Sequence, residues 1–237
     1  MPVERFFSDT SFTPENECIL EGQEFHHLSH VIRCRAGEKV ELVNGRNELA
    51  FATLVSIEKK KATLQIDTVV KKTPGKEIIL AQAIPRFNRL EFILEKGTEL
   101  GASAFWLFPG VWSEKSDFSN NQQERMELLT VSAMKQCSRL DLPPILIKPQ
   151  LTEWALIPNT TILYGDTRPE APPVTPPFKD PLILVVGPER GLSPQEVHHL
   201  DGTLKARGVC LNHNILRTDT AAMAFLAITA LNIKPLA

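Results

Sequence analysis

The stretch Leu182-Ile-Leu-Val-Val186, which runs into Gly187-Pro-Glu-Arg-Gly-Leu-Ser193, decides the fold class of this chain. An uninterrupted apolar run that stops at a glycine-rich loop is typical of a buried strand. A helix is predicted to begin next, because Ser193-Pro-Gln-Glu196 is a capping box with proline at the first helical position. Open α/β sheets bind ligands where a strand, a tight loop and a helix start follow one another in this way.

A second segment of the same kind lies further along the chain. Leu211-Asn-His-Asn-Ile-Leu-Arg-Thr-Asp-Thr-Ala221 leads into an apolar helix predicted over Ala222 to Leu231. Arg217, flanked by apolar residues, is a candidate for binding an anion or a substrate carbonyl, and the alternative is that it pairs with Asp219 or Glu189. We expect the two loops to form two walls of one pocket. Neither has the spacing of a Walker loop or a dinucleotide fingerprint, which argues against nucleoside triphosphates and nicotinamides.

Strands and helices alternate from residue 77 onward. Glu77–Ile84 is a predicted strand, and Asn88–Gly101 is a predicted amphipathic helix with an inner stripe of Leu90, Ile93, Leu94 and Gly97. The other predicted elements are a long helix, Gln122–Leu140, and short strands at Phe105–Phe108, Ile145–Ile147, Thr161–Tyr164 and Gly208–Leu211. This alternation favours a mostly parallel sheet covered by helices.

The first part of the chain predicts short strands instead. Lys39–Val43 alternates, Asn44-Gly45 is a hairpin signal, and Glu48–Ile57 and Ala62–Val70 continue the extended pattern. Short strands joined by tight turns in so small a unit favour a compact barrel. Lys71–Lys76, charged and carrying a Pro-Gly breaker, is the predicted linker between the two regions.

The composition is that of an ordinary globular protein, with 43% apolar and 23% charged residues and a net charge of −2 over 237 residues. No global positive field draws the chain to nucleic acid, so an RNA partner would need a local basic patch. The four cysteines form no C-x-x-C pair, which is typical of reduced thiols. Because the first residues lack a signal-peptide core and the apolar stretch Ala221–Leu231 is too short for a membrane span, we expect a soluble cytoplasmic protein.

One set of possible metal ligands stands in the first part of the chain. The spacing of His26, His30 and Cys34 would bring all three onto one helical face, and these residue types bind zinc. A solvated helix is the favoured interpretation, so we expect no metal site.

Taken together, the motifs resemble the RsmE family of ribosomal RNA uridine-N3 methyltransferases, which belongs to the SPOUT class. The two loop segments above carry the strongest part of the resemblance. The other matching segments, in chain order, are Arg5-Phe-Phe, His27-Leu-x-x-Val-Ile-Arg33, Val43-Asn-Gly45, Leu90–Lys96, Thr98–Gly101, Lys135-Gln-Cys-Ser-Arg139 and Leu142–Ile145. The chain departs from the family pattern where Arg190 and Asn212 replace glycines, Asp219 replaces glutamate and Ser138 stands where glycine is frequent.

The resemblance implies an α/β fold of two domains that work as a homodimer. Residues 1–72 would form a small PUA-like β-barrel that binds RNA, and residues 77–237 a SPOUT methyltransferase domain with a trefoil knot. S-adenosylmethionine would bind among the knot loops. The implied cofactor-binding residues are Leu163, Tyr164, Gly165, Val186, Gly187, Glu189, Gly191, Leu211, Ile215, Leu216 and Thr218.

The resemblance also implies the substrate, uridine N3 in small-subunit (16S) ribosomal RNA, within the assembled small subunit. Arg217 would bind a uracil carbonyl and stabilise the imide anion that develops when N3 loses its proton. The base is left open among Glu99, Glu189, Asp219 and solvent. The basic residues expected to contact RNA are Arg5, Arg33, Arg35, Lys96 and Arg139.

Three other functions remain open at this stage. The chain could be an RNA-binding module without catalysis, a small-molecule α/β enzyme with an appended barrel, or a SPOUT methyltransferase acting on a different RNA nucleoside.

Overall fold

The structure, a computed structural model, describes residues 4–176, 178 and 181–230. The chain forms two compact units, Met1–Pro74 with Met134–Leu142, and Gly75–Ala133 with Pro143–Ala237. The first change of unit falls inside the predicted linker, Lys71–Lys76. The second and third changes were not foreseen from the sequence.

The first unit is built on one five-stranded sheet in the order β1-β3-β4-β5-β2. Its strands are β1 (Arg5–Phe7), β2 (Glu17–Glu21), β3 (Lys39–Val43), β4 (Glu48–Ile57) and β5 (Lys61–Lys71). Strands β1 and β3 are parallel, and the other neighbours are antiparallel. The strands predicted at residues 39–43 and 48–57 are confirmed, because alternating apolar residues of both are buried on one face.

A helical segment covers part of this sheet. Helix α1 (Gly22–His26) continues into a π-helical turn, His27–Ile32, which ends at Arg33 in the left-handed region with φ 61°. Phe25 and Leu28 are the buried residues of this segment, and they join the core formed by the strands. The helix favoured for the His26–Cys34 region is therefore present in part, but it was expected to be solvated and it buries two side chains.

The possible metal ligands of this segment serve other purposes. The rings of His26 and His30 stack with centroids 4.9 Å apart. Cys34 lies in the apolar core, and burial, together with the charges of Glu38 and Glu4, raises the pKa of its thiol. A raised thiol pKa disfavours the thiolate that binds zinc. Within residues 4–176, 178 and 181–230 no three His, Cys, Asp or Glu side chains are grouped to hold a metal ion.

Residues 134–142 complete the core of the first unit, although they follow it by many positions in the chain. Met134 and Leu140 are buried in one cluster with Val43 of β3. The backbone amide of Asn47 donates to the Leu140 carbonyl (2.9 Å), and the amide of Leu142 donates to Gly45 (2.9 Å). The hairpin between β3 and β4 is thus held by a segment from the middle of the sequence.

The second unit contains a six-stranded parallel sheet in the order β11-β9-β10-β6-β7-β8. Its strands are β6 (Ile78–Ala83), β7 (Ala104–Phe108), β8 (Ile145–Ile147), β9 (Thr161–Gly165), β10 (Leu182–Val186) and β11 (Arg207–Val209). Its helices are α2 (Phe87–Glu99), α3 (Asn120–Gln136), α4 (Pro194–Gly202) and α5 (Thr218–Ala230), with a short 3-10 turn at Leu151–Glu153. The predicted parallel sheet is confirmed.

Helices cover both faces of this sheet. Leu90 of α2 and Phe225 of α5 pack on one face, in a core that also holds Leu80 and Leu163. Leu200 of α4 packs on the opposite face. None of the helices in the described part of the chain is long and apolar enough to cross a membrane.

Two predicted helix ends differ from the structure. The helix predicted to end at Gly101 ends at Glu99. The helix predicted to reach Leu140 ends at Gln136, because Ser138 takes a left-handed conformation (φ 63°) and the amide of Arg139 donates to the Met134 carbonyl. Helix α5 is described as far as Ala230, so its predicted end at Leu231 lies outside the described residues.

Candidate functional site

Three loops meet at the carboxyl edge of the parallel sheet. They follow β9, β10 and β11. In the sheet, β9 lies between β10 and β11, so the three loops begin side by side. The amide of Asp166 donates to the Val209 carbonyl (2.9 Å), and the hydroxyl of Thr218 donates to the carbonyl of Gly187 (2.6 Å). The glycine- and arginine-containing loops are therefore in contact, and their forming two walls of one pocket stays a prediction.

The loop after β10 is folded tightly upon itself at Gly187. A Cβ atom on Gly187 would lie 2.7 Å from both the carbonyl carbon of Gly191 and the amide nitrogen of Leu192. Gly191 has φ 77°, and its amide donates to the Pro188 carbonyl (2.9 Å). Both glycines are required by this backbone path, which exposes main-chain groups to a ligand.

The capping box predicted at the start of α4 is present. Ser193 accepts a hydrogen bond from the amide of Glu196 (3.2 Å), and the Glu196 carboxylate accepts one from the amide of Ser193 (2.7 Å). The second carboxylate oxygen of Glu196 accepts from the amide of Val111 (3.1 Å). This buried carboxylate therefore ties the loop after β7 to the loop after β10.

Gln82, at the end of β6, is a site residue that the sequence analysis missed. Its side chain is fully buried, and its amide nitrogen donates to the Thr218 hydroxyl (2.9 Å) and to the Gly187 carbonyl (3.2 Å). Its side-chain carbonyl oxygen is buried and has no hydrogen-bond partner among the residues that the structure describes. Because buried carbonyls are nearly always paired, this oxygen marks a place where a ligand donor would be stabilised.

Arg89, in the first turns of α2, is the second residue that the sequence analysis missed. Its guanidinium binds the carboxylate of Asp219 at 2.8 Å and that of Glu189 at 3.5 Å. The backbone amide of Arg86 also donates to Glu189 (2.9 Å). The three side chains join α2, the loop after β10 and the start of α5, and we call them the Arg89 clamp.

The clamp leaves Arg217 free to bind a ligand. Its side chain makes no ion pair or hydrogen bond with any residue of the described part of the chain, and the residue is exposed. The alternative in which Arg217 pairs with Asp219 or Glu189 is wrong, because Arg89 binds both carboxylates. Ile215, two positions away, is 84% exposed, so the loop presents both a charge and an apolar side chain.

Glu99 and Lys96 are not brought to this edge within the chain. Helix α2 begins after the carboxyl end of β6 and ends before the amino end of β7, and its 13 residues span about 20 Å. Glu99 stands at its far end and pairs with Lys96 (2.7 Å). Lys96 also pairs with Glu95 (2.8 Å).

The side chain of Tyr164 lies in the core between the sheet and α4. It packs in the core on the α4 face, whereas Leu163 packs on the face of α2 and α5. Its hydroxyl donates to Asp201 (2.7 Å) and accepts from Arg168 (2.7 Å). Burial, together with the hydrogen bond to Asp201, raises the pKa of the Tyr164 phenol. Only the main chain of Tyr164 is placed to meet a ligand at the sheet edge.

The basic residues of the first unit divide into two groups. Arg33 and Arg35 are exposed, and neither forms an ion pair within the described ranges 4–176, 178 and 181–230. Arg5 binds Glu41 through Nε (2.9 Å), and Arg139 binds Asp141 through Nε (3.2 Å). Arg33 and Arg35 are therefore the freer candidates for contact with phosphate.

Comparison with known families identifies the chain. Residues 71–230 match the RNA methyltransferase domain, and residues 20–67 match the PUA domain of RNA methyltransferases. The chain belongs to the RNA methyltransferase family. The family prediction made from the loop motifs is thereby confirmed.

Curated relatives match this RNA methyltransferase over most of its length. The ribosomal RNA small subunit methyltransferase E of Bacillus subtilis is 27% identical over 88% of this chain and 87% of its own length. Its namesake in Mycobacterium tuberculosis is 28% identical over 93% of this chain and 88% of its own length.

A solved structure matches the fold of both units. The ribosomal RNA small subunit methyltransferase E of Neisseria gonorrhoeae, bound to S-adenosyl methionine, has a TM-score of 0.86 at 25% identity. The match covers 98% of each chain. A methyltransferase of Legionella pneumophila with bound cofactor has the same fold, with a TM-score of 0.84.

Proposed function

We propose that this RNA methyltransferase transfers a methyl group from S-adenosylmethionine to N3 of a uridine in small-subunit ribosomal RNA. The observation that carries the proposal is Arg217, which the Arg89 clamp leaves unpaired beside the loops after β10 and β11. The names of the relatives, the cofactor bound to the Neisseria structure and the loop motifs support the same activity.

The residues of the three loops fit the proposed cofactor. Gly187 and Gly191 allow a close approach of the ligand to main-chain amides and carbonyls, and the unpaired Gln82 oxygen can accept from an amino or hydroxyl group. Leu163, Leu211 and Leu216, which are buried or partly buried, offer apolar contact. When bound, S-adenosylmethionine supplies an activated methyl group on its sulfonium.

The proposed role of Arg217 follows from the chemistry of uracil. The N3 lone pair is delocalised into two carbonyls, and the N3 proton must leave before or during transfer. A guanidinium that donates to one of these carbonyls stabilises the negative charge that develops there. Arg217 suits this role because no carboxylate of the described chain competes for it.

The ion pairs reduce the number of side chains that could accept the N3 proton. Asp219 and Glu189 are held by Arg89, and accepting a proton would remove the charge that Arg89 binds. Glu99 is bound to Lys96 at the opposite edge of the sheet. We therefore favour solvent as the acceptor within one chain, with Asp219 as the side chain to test first.

The remaining parts of the proposal concern RNA docking and assembly. The barrel, residues 1–72, would dock RNA backbone through Arg33 and Arg35, which are exposed. The methyltransferase domain, residues 77–237, would contain a trefoil knot, as the resemblance of the loop motifs implies. We also propose that the protein is a homodimer that acts in the cytoplasm on assembled small subunits.

Radiolabelled methyl transfer to small subunits that lack the modification tests the activity, followed by mass spectrometry of the nucleosides. The proposal expects N3-methyluridine, and its loss in Arg217→Ala with cofactor affinity retained. A different methylated nucleoside would retain the enzyme class and reject the uridine target. Absence of both transfer and cofactor binding would favour a non-catalytic RNA-binding protein.

A further inference from the structure

An aromatic and a cationic side chain face each other at the edge that carries Arg217. Trp112 lies in the loop after β7, and Arg190 lies in the loop after β10, with its guanidinium carbon 5.5 Å from the centroid of the Trp112 ring. Arg190 is one of the positions where this chain departs from a glycine of the family that it resembles. The contact with Trp112 gives that departure a structural consequence.

The two loops are held together independently of this contact. The amide of Val111 donates to the buried carboxylate of Glu196 (3.1 Å), and the position of a Cβ on Gly110 lies 3.5 Å from Pro188. The pair of side chains is therefore not needed to join the loops, and a further role is open to it.

Trp112 differs from the other two tryptophans in its surroundings. Trp154 is buried against Phe108 and Trp106, and its indole nitrogen donates to the Pro149 carbonyl (3.0 Å). Trp106 is covered by the ammonium of Lys148 at 4.3 Å. Trp112 is partly exposed, next to Val111, which is 53% exposed.

The charges around the pair favour an anionic partner. The carboxylate of Glu114, two positions from Trp112, is bound by Arg86 at 2.7 Å, so the charges of these two side chains cancel each other. Arg190 has no ion-pair partner in the part of the chain that the structure describes. The edge therefore carries Arg190 and Arg217 as cations without a bound carboxylate.

We propose that Trp112 and Arg190 form a stacking surface for an unpaired RNA base that neighbours the target nucleotide. The inference rests on the proposed methylation of RNA, and it adds a recognition site outside the barrel. Proteins recognise single-stranded RNA by stacking bases on aromatic rings and guanidinium planes, and a target uracil must leave its stack to reach Arg217. An indole beside a guanidinium can accept a base on its face while the cation remains near phosphate.

The test separates affinity for RNA from affinity for the cofactor. Steady-state methyl transfer gives kcat and the KM for small subunits, co-sedimentation with small subunits gives an affinity without turnover, and calorimetry gives the affinity for S-adenosylmethionine. The variants are Trp112→Leu, Trp112→Phe and Arg190→Gly. Phe92→Leu is the matched control, because Phe92 is an aromatic residue 44% exposed on helix α2.

Loss of stacking predicts a rise in KM and a matching loss of subunit affinity of roughly 5- to 100-fold in Trp112→Leu. Trp112→Phe keeps an aromatic face and is expected to stay within about threefold of the wild type. Arg190→Gly should raise KM without changing cofactor affinity, and Phe92→Leu should change neither.

Three results would overturn the stacking surface. One is a wild-type KM in both Trp112→Leu and Arg190→Gly. The second is a loss of cofactor affinity with subunit affinity retained, which would make the pair a cover for the cofactor. The third is an equal effect of Trp112→Phe and Trp112→Leu. Because wild-type methylation is measured in the same assay, failure of the proposed function would show as no N3-methyluridine in any variant.

Discussion

Replacing Arg89 with glutamine tests whether the Arg89 clamp keeps Arg217 available. Glutamine retains most of the length of the side chain and removes the charge that binds Asp219 and Glu189. Both carboxylates are then free to attract an unpaired guanidinium, and Arg217 stands two positions from Asp219 in the chain. We expect Arg217 to spend most of its time bound to them instead of facing the substrate.

The size of the effect follows from the strength of partly exposed ion pairs. Such a pair is worth at most about 1 kcal/mol, which corresponds to roughly a fivefold preference. With two competing carboxylates, Arg217 would remain free for about one tenth to one sixth of the time. Turnover should fall about 5- to 10-fold, and the melting temperature should fall by about 2–4 °C as the clamp is lost.

A second substitution tests whether Asp219 is the carboxylate that binds Arg217 when Arg89 is lost. In Arg89→Gln with Asp219→Asn, the stronger competitor for Arg217 loses its charge, so we expect turnover to recover about twofold or more over Arg89→Gln. The matched control is Arg86→Gln, because Arg86 and its partner Glu114 are each 63% exposed and contact neither Asp219 nor Arg217 through their side chains. This control should remain within about twofold of the wild type.

The assay is methyl transfer to small subunits under saturating substrates, with Asp219→Asn measured alone. An active Asp219→Asn enzyme shows that Asp219 is not the required proton acceptor. The capture of Arg217 would be refuted by wild-type turnover in Arg89→Gln. It would also be refuted if the double variant were no faster than Arg89→Gln while Asp219→Asn alone was active.

Three further predictions concern the cofactor loop, the barrel and the buried phenol. Gly187→Ala should weaken cofactor binding about 10-fold or more in calorimetry, because its Cβ would lie 2.7 Å from backbone atoms; unchanged affinity would mean that the loop is not part of the site. Arg33→Ala with Arg35→Ala should reduce the slope of log affinity for small subunits against log salt by about 1 to 2, and an unchanged slope would remove the barrel arginines from the interface. Because the pKa of Tyr164 is raised, its phenol contributes its whole stabilisation below the unfolded-state pKa of about 10, and this contribution declines as the pH rises above that value. Tyr164→Phe should be less stable than the wild type by about 1 kcal/mol at pH 8. In urea titrations, this difference in the free energy of unfolding should shrink by pH 11.

Most strands could be predicted because the local pattern of apolar residues shows which of their side chains are buried. Residues 182–186 are an apolar run and form β10 with those bounds, and the alternation in residues 39–43 forms β3. The helical segment at residues 22–32 was expected to be solvated because its buried residues are only Phe25 and Leu28, too few for an apolar helical period to be evident.

The candidate site was predicted only in part because its organising contacts join distant positions. Arg89 and Asp219 are 130 positions apart, and Gln82 and Thr218 are 136 positions apart. Arg89 stands on the polar side of an amphipathic helix, where an arginine is usually a solvated charge. Gln82 did leave a signal, since it is the one strongly polar residue in the buried strand Ile78–Ala83.

The segment 134–142 has a consequence for the order in which the chain can fold. The first unit contains these residues, and Met134 and Leu140 fill its core beside Val43. During synthesis, a nascent chain that has emerged only to Pro74 contains the core between the strands but lacks the cluster beside Val43, so the hairpin between β3 and β4 gains its last packing partners only after residue 142. A fragment cut at the linker would lose the same cluster, and we expect it to be less stable than the first unit within the whole chain.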